Sequence, residues 1–101
     1  MIVRLWHGCV PGAKAAAYRQ FLKDRAIPDY RRIAGNLDVK ILERAEGDKT
    51  HFVTMTFWRD IAAIRAFAGE PVERAKYYPE DADFLLEFEP NVVHYEVVGQ
   101  A

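Results

Sequence analysis

The chain has 101 residues, which suits one domain spanning residues 1–101; 50% of them are hydrophobic and 13% aromatic. A body of this size buries roughly 65% of its extended surface, so such an apolar composition asks for a second layer or a partner subunit. The net charge is −1 with acids and bases interspersed, which argues against a nucleic-acid partner. No apolar run approaches a membrane span, and the first residues lack a secretory leader pattern. The lone Cys9 rules out an internal disulfide, so the expected setting is the reducing cytoplasm.

In chain order, Met1–Cys9 alternates as a strand, with Val3, Leu5 and His7 on one face and Ile2, Arg4 and Trp6 on the other. Pro11-Gly12 stops it. Ala13–Ala26 has helical spacing through Tyr18, Phe21 and Leu22. Pro28 is expected to end that helix and start a further turn over Asp29–Ile33, closed by Gly35. Leu37–Ala45 and Thr50–Trp58 are strands joined by a hairpin turn at Glu46–Lys49. Asp60 caps a helix through Ile61, Ile64 and Phe67, which Gly69 ends. Pro71 is expected to start a short helix, Val72–Tyr78. Pro79–Glu87 reads as irregular, with a turn of helix that points Phe84 and Leu85 inward, and Asn91–Val98 as the last strand.

The order β-α-β-β-α-β with right-handed crossovers predicts a ferredoxin-like split βαβ, an α+β fold. It has a four-stranded sheet in order 4-1-3-2 and helices on one face. Both faces carry bulky groups. The third strand offers Val53, Met55 and Phe57 on one side and Phe52, Thr54, Thr56 and Trp58 on the other. A sheet apolar on both sides needs two covers, and a second copy of the chain, meeting the sheet face and the C-terminal strand, is the expected second one.

Phe57-Trp58-Arg59, Ile64–Gly69, Glu73–Pro79 and the closing Val93-His94-Tyr95-Glu96-Val97 together resemble antibiotic-biosynthesis-monooxygenase-like domains of the dimeric α/β-barrel superfamily. The resemblance implies a dimer with stacked sheets and a ligand cavity between sheet and helices in each subunit. Members include cofactor-free oxygenases acting on polycyclic phenols, haem-degrading enzymes and proteins of unknown activity. Haem-degrading members carry a Trp and, ten residues on, an axial His. Counted from Trp58, the matching positions here are Phe67 and Tyr77, which departs from that pattern although Tyr can ligate haem iron.

Several residues could carry chemistry. Strands one and three are expected to run parallel, which would place His51 far from His7. The last strand, antiparallel to the first, would bring His94 near His7. Two imidazoles without a carboxylate or thiolate at ligand spacing do not make a metal site, and no cofactor is called for. A His7–His94 pair could supply a general base or be two satisfied half-buried histidines. Trp6 and Trp58 could wall an aromatic pocket with Phe67, or simply pack the core. Thr54 and Thr56 are polar handles or ordinary strand residues. Tyr77 and Tyr78 diverge by about 100° if helical, so one could donate to a ligand. Arg4 is an anion anchor or an edge charge. Cys9 has no activating neighbour in sequence.

The expectations divide in two. In the first, the protein is a cofactor-independent monooxygenase-like enzyme for a small aromatic or quinol-type substrate, with His94, His7 and Tyr77 catalytic and Arg4, Trp6, Thr54, Thr56, Trp58, Phe67 and Tyr78 binding. In the second, it is a non-catalytic small-molecule-binding or structural dimer of the same fold. An open cavity with convergent polar groups favours the first and a cavity filled by side chains the second.

Overall fold

Four strands form the spine of the computed structural model, which describes residues 1–101: β1 (Ile2–Pro11), β2 (Asn36–Glu46), β3 (Lys49–Trp58) and β4 (Val93–Glu96). They lie in the order β2-β3-β1-β4, and every adjacent pair is antiparallel. This is the expected ferredoxin-like sheet with helices on one face. β1 and β3 therefore run antiparallel, not parallel as expected. A crossover makes β1 and β2 parallel, and the β2–β3 hairpin, turning at Gly47-Asp48 between the paired Glu46 and Lys49, reverses β3.

One continuous helical run crosses the sheet between β1 and β2. It comprises a 3₁₀ turn at Gly12–Lys14, α1 (Ala15–Phe21), a π-turn at Leu22–Ala26 and α2 (Ile27–Arg31). The expected break at Pro28 does not occur. Pro28 sits in the first turn of α2, where no backbone N–H is needed, and the π-turn before it lets Ile27 N–H reach back to Leu22 O. Tyr18, Leu22, Ala26 and Tyr30 all face the core. A step of four residues overshoots a regular α-helical turn by about 40° each time, and the wider π-turn takes up that drift.

Asp60 caps α3 (Ile61–Ala68) by accepting from Ala63 N–H at 2.9 Å, and Gly69 closes it at φ 79°. The expected helix Val72–Tyr78 is absent. Pro79 holds Tyr78 extended (φ −102°, ψ 153°), and the segment instead pairs with the chain leading into β4. Ala75 N–H donates to Pro90 O, Val92 N–H donates to Glu73 O, and Arg74 bridges Asn91. A 3₁₀ turn at Pro79–Asp83 then carries Phe84 and Leu85 inward against the core, as expected.

Alternation along the strands decides which residues meet the helices. Arg4, Trp6, Gly8 and Val10 of β1 and Thr50, Phe52, Thr54, Thr56 and Trp58 of β3 are buried beneath them. Val3, Leu5 and His7, with Val53, Met55 and Phe57, lie on the opposite face, where Leu42, Val93 and Tyr95 are also exposed.

Candidate functional site

Between the sheet and the helices lies a cavity, where the sheet supplies Trp6 and Thr54, the helical run Tyr18 and Tyr30, and α3 Phe67. Lys76, Tyr78 and Asp81 close it from the irregular segment. Its volume is about 10 Å³, room for about one water molecule. Aromatic rings fill the rest: Tyr30 stacks on Phe67 at 4.5 Å between centroids, and Trp58 packs against both.

Most polar groups at its rim are satisfied, whereas Trp6 Nε1 in the lining is buried without a partner. Tyr30 Oη and Thr54 Oγ1 lie 2.9 Å apart, and Tyr18 Oη donates to Asp81 Oδ1 at 2.8 Å. Asp29 accepts from Tyr78 Oη at 2.6 Å and Lys76 Nζ at 2.9 Å. Against the upward push of burial, hydrogen bonds from Tyr78, Lys76 and Arg32 hold the Asp29 carboxyl down at about 2. Burial and the facing Asp29 raise the Tyr78 phenol. Burial also raises the Asp81 carboxyl, despite bonds from Tyr78 N–H and Tyr18.

Three side chains of the covered face, Arg4, Trp6 and His94, hold buried polar atoms without a partner. Arg4 is 1% exposed; its Nη2 donates to Arg74 O at 2.9 Å, while Nε and Nη1 have no partner. No carboxylate pairs with it. A buried, unmatched donor costs about 1–3 kcal/mol, and more on a charged group. Its guanidinium carbon stands 5.6 Å from the centre of the Phe67 ring, and Lys76 Nζ stands 4.3 Å from the same centre. Directly across the β1–β4 ladder is His94, whose Nε2 is likewise buried and unpartnered. Burial, and then the charge of Arg4, lower the His94 imidazole below its usual range, with Glu73 opposing. Neutral pH therefore leaves it an unprotonated base.

The expected His7–His94 neighbourhood does not form. His94 pairs with Arg4 on the covered face, whereas His7 pairs with Val53 on the open face. His7 instead meets His51, Nε2 to Nδ1 at 2.9 Å, because the antiparallel ladder brings both to one end of the sheet. Carboxylates flank the pair: Glu89 bonds His7, and Glu46 bonds His51 at 2.8 Å. Tyr77 does not line the cavity. It donates to Glu89 O at 2.5 Å and packs its ring against Phe88 and the edge of Trp6. Trp58 and Thr56 are core: Trp58 Nε1 donates to Thr56 Oγ1 at 2.8 Å, and Thr56 donates to Arg4 O at 3.3 Å. Cys9 is buried. Asp29, Lys76 and Asp81 join the rim although no local pattern marks them, since each reaches it from a loop or helix end far along the chain.

The fold is that of a ferredoxin-like α+β domain with a small aromatic-walled space between sheet and helices. The chain belongs to the antibiotic biosynthesis monooxygenase family, whose model matches residues 1–75. No curated protein matches it. Solved structures do. A Nitrosomonas europaea protein provisionally named an antibiotic biosynthesis monooxygenase superposes with a TM-score of 0.68 at 20% identity, covering 98% of this chain and 100% of that one. A monooxygenase from the gene ActVA-Orf6 of Streptomyces coelicolor, solved with nanaomycin D, gives 0.65 at 18% identity and covers 99% and 89%. A MhuD mutant holding two manganese protoporphyrin IX molecules per active site gives 0.63 at 19% and covers 100% and 98%. At these identities the likeness concerns the fold. No helix is long and apolar enough to cross a membrane.

Proposed function

We propose that the protein is a cofactor-independent monooxygenase for a small phenol or quinol bound over the covered face of the sheet. The observation that carries this reading is His94, a half-buried imidazole favoured in its neutral form beside an unpaired cation, Arg4. Such an imidazole can take the proton of an acidic ring hydroxyl, and the cation stabilises the oxyanion left behind. The ionised ring is electron-rich enough to reduce dioxygen itself. One oxygen atom enters the ring, the second leaves as water, and the phenol becomes a quinone. Trp6, Phe67 and Tyr30 form the apolar walls and exclude water.

Membership of a monooxygenase family supports the reading, whereas the cavity filled by side chains meets the expectation stated for a binding or structural dimer. A second copy of the chain is the proposed cover for the opposite face of the sheet, where Leu5, Val53, Met55, Val93 and Tyr95 lie side by side. Oxygen uptake with phenols and hydroquinones tests the reaction: wild type should consume oxygen and His94→Ala should not. Equal rates would remove His94 from the chemistry, and no uptake by wild type with any of them would favour a binding protein over an enzyme.

A further inference from the structure

Of the ten residues that line the inner cavity, only Lys76 and Tyr78 are not buried. On their outer side the same two residues line an open groove of about 570 Å³ beside α2, together with Arg25, Arg32 and Pro79. Lys76 and Tyr78 are therefore the partition between a space for about one water and a groove that faces solvent. A single oxygen holds the partition in place. Asp29 Oδ2 accepts from Tyr78 Oη at 2.6 Å and from Lys76 Nζ at 2.9 Å, and the phenol and the ammonium have no other hydrogen-bond partner. Asp29 stands on α2 and is braced by Arg32, which donates to Oδ1 at 2.7 Å. Burial pushes its carboxyl up, but the three donors hold it at about 2, so it is charged at any physiological pH.

The backbone behind the partition is neither helix nor strand. It is pinned on one side by Ala75 N–H donating to Pro90 O and on the other by Asp81 N–H donating to Tyr78 O. Lys76 Nζ lies 4.3 Å from the centre of the Phe67 ring, and a lysine deprived of its carboxylate extends from such a face into water. We propose that guests reach the inner cavity from this groove, passing between Lys76 and Tyr78, and that Asp29 is the residue that holds the passage shut. A guest first settles beside Arg25 and Arg32. Release of the two bonds to Asp29 then lets the ammonium and the phenol swing apart while both ends of the strap stay pinned. Asp29 acts through these two side chains and is a positioning residue. The inference concerns access and holds for any guest, turned over or not.

The test needs no guest. Acrylamide quenches indole fluorescence on contact, and Trp6 and Trp58 are 4% and 0% exposed, so quenching without denaturant reports how often the partition parts. Wild type should be quenched weakly. Asp29→Ala should raise the quenching constant roughly tenfold or more, the loss of bonds made to a charged group. Tyr78→Phe, which keeps the ring and loses one bond, and Lys76→Met should each raise it less. Tyr18→Phe is the control. It removes a bond to Asp81, which lines the cavity but not the groove, and should stay at the wild-type level although it too lowers stability to urea. Quenching of Asp29→Ala no stronger than wild type, or of Tyr18→Phe as strong as Asp29→Ala, would overturn the proposal. Should Asp29→Ala fail to fold, Tyr78→Phe and Lys76→Met decide, and wild-type quenching in both overturns it. Oxygen uptake plays no part in these measurements, so the oxygenase reading stands or falls on its own experiment.

Discussion

Tyr18 and Asp81 meet where the helical run, the irregular segment and the sheet converge, both essentially inaccessible to solvent. The carboxyl takes one bond from Tyr18 Oη and one from Tyr78 N–H, so losing either leaves a buried acceptor short. Tyr18→Phe should cost about 1–2 kcal/mol at neutral pH, measured by urea unfolding. His94 gives a pH signature. The fold lowers its pKa, so folding disfavours the protonated ring. Stability is full above the unfolded value of about 6.5 and declines as pH falls through the lower folded value. An oxygenase activity using His94 as base should show its acid limb below about pH 6.5, and the stability decline should flatten in His94→Gln, read by chemical unfolding at several pH values. Sequence marked Trp6, Thr54, Phe67 and Tyr78, and these line the cavity. It did not mark Asp29 or Asp81, since a carboxylate in a polar run looks solvated until tertiary packing covers it.

Among the elements, β1 depends on Gly8. The Trp6 indole folds over that position so closely that an added Cβ would sit 2.4 Å from Trp6 Cη2 and 2.9 Å from Leu85 Cδ2. Gly8→Ala should therefore displace a cavity wall and destabilise by about 1–3 kcal/mol, visible as a lower thermal midpoint and altered tryptophan emission. The helical run was legible as two pieces because Pro28 normally stops a helix. The π-turn that lets it continue is a hydrogen-bond shift with no side-chain signature. Likewise Val72–Tyr78 has helical-looking residues, yet its backbone partners lie in residues 90–92, which no local window can see. The strand alternation was read correctly, and the direction of β3 was not. That error separated His7 from His51; the His7–His94 pairing failed instead on face, because His94 lies opposite Arg4 on the covered side and His7 opposite Val53 on the open side.

At the scale of the whole molecule, the uncovered face of the sheet decides the assembly. Val93 and Tyr95 stand 52% and 60% exposed beside Leu5, Val53 and Met55, a contiguous apolar patch of the kind that monomers avoid. Light scattering should give twice the 11.6 kDa chain mass. Val93→Asp with Tyr95→Asp should aggregate or unfold, and a folded wild-type monomer at micromolar concentration would refute the dimer. The near-absence of empty space over the sheet has a kinetic consequence. A benzene-sized guest cannot enter a volume fit for one water, so capture must wait for the Lys76–Asp81 segment or the Tyr30 and Phe67 rings to part. Mixed rapidly with a growing excess of a small phenol, the protein should show an association rate that levels off at the opening frequency. The measured affinity is then diluted by the fraction of time the molecule spends ajar.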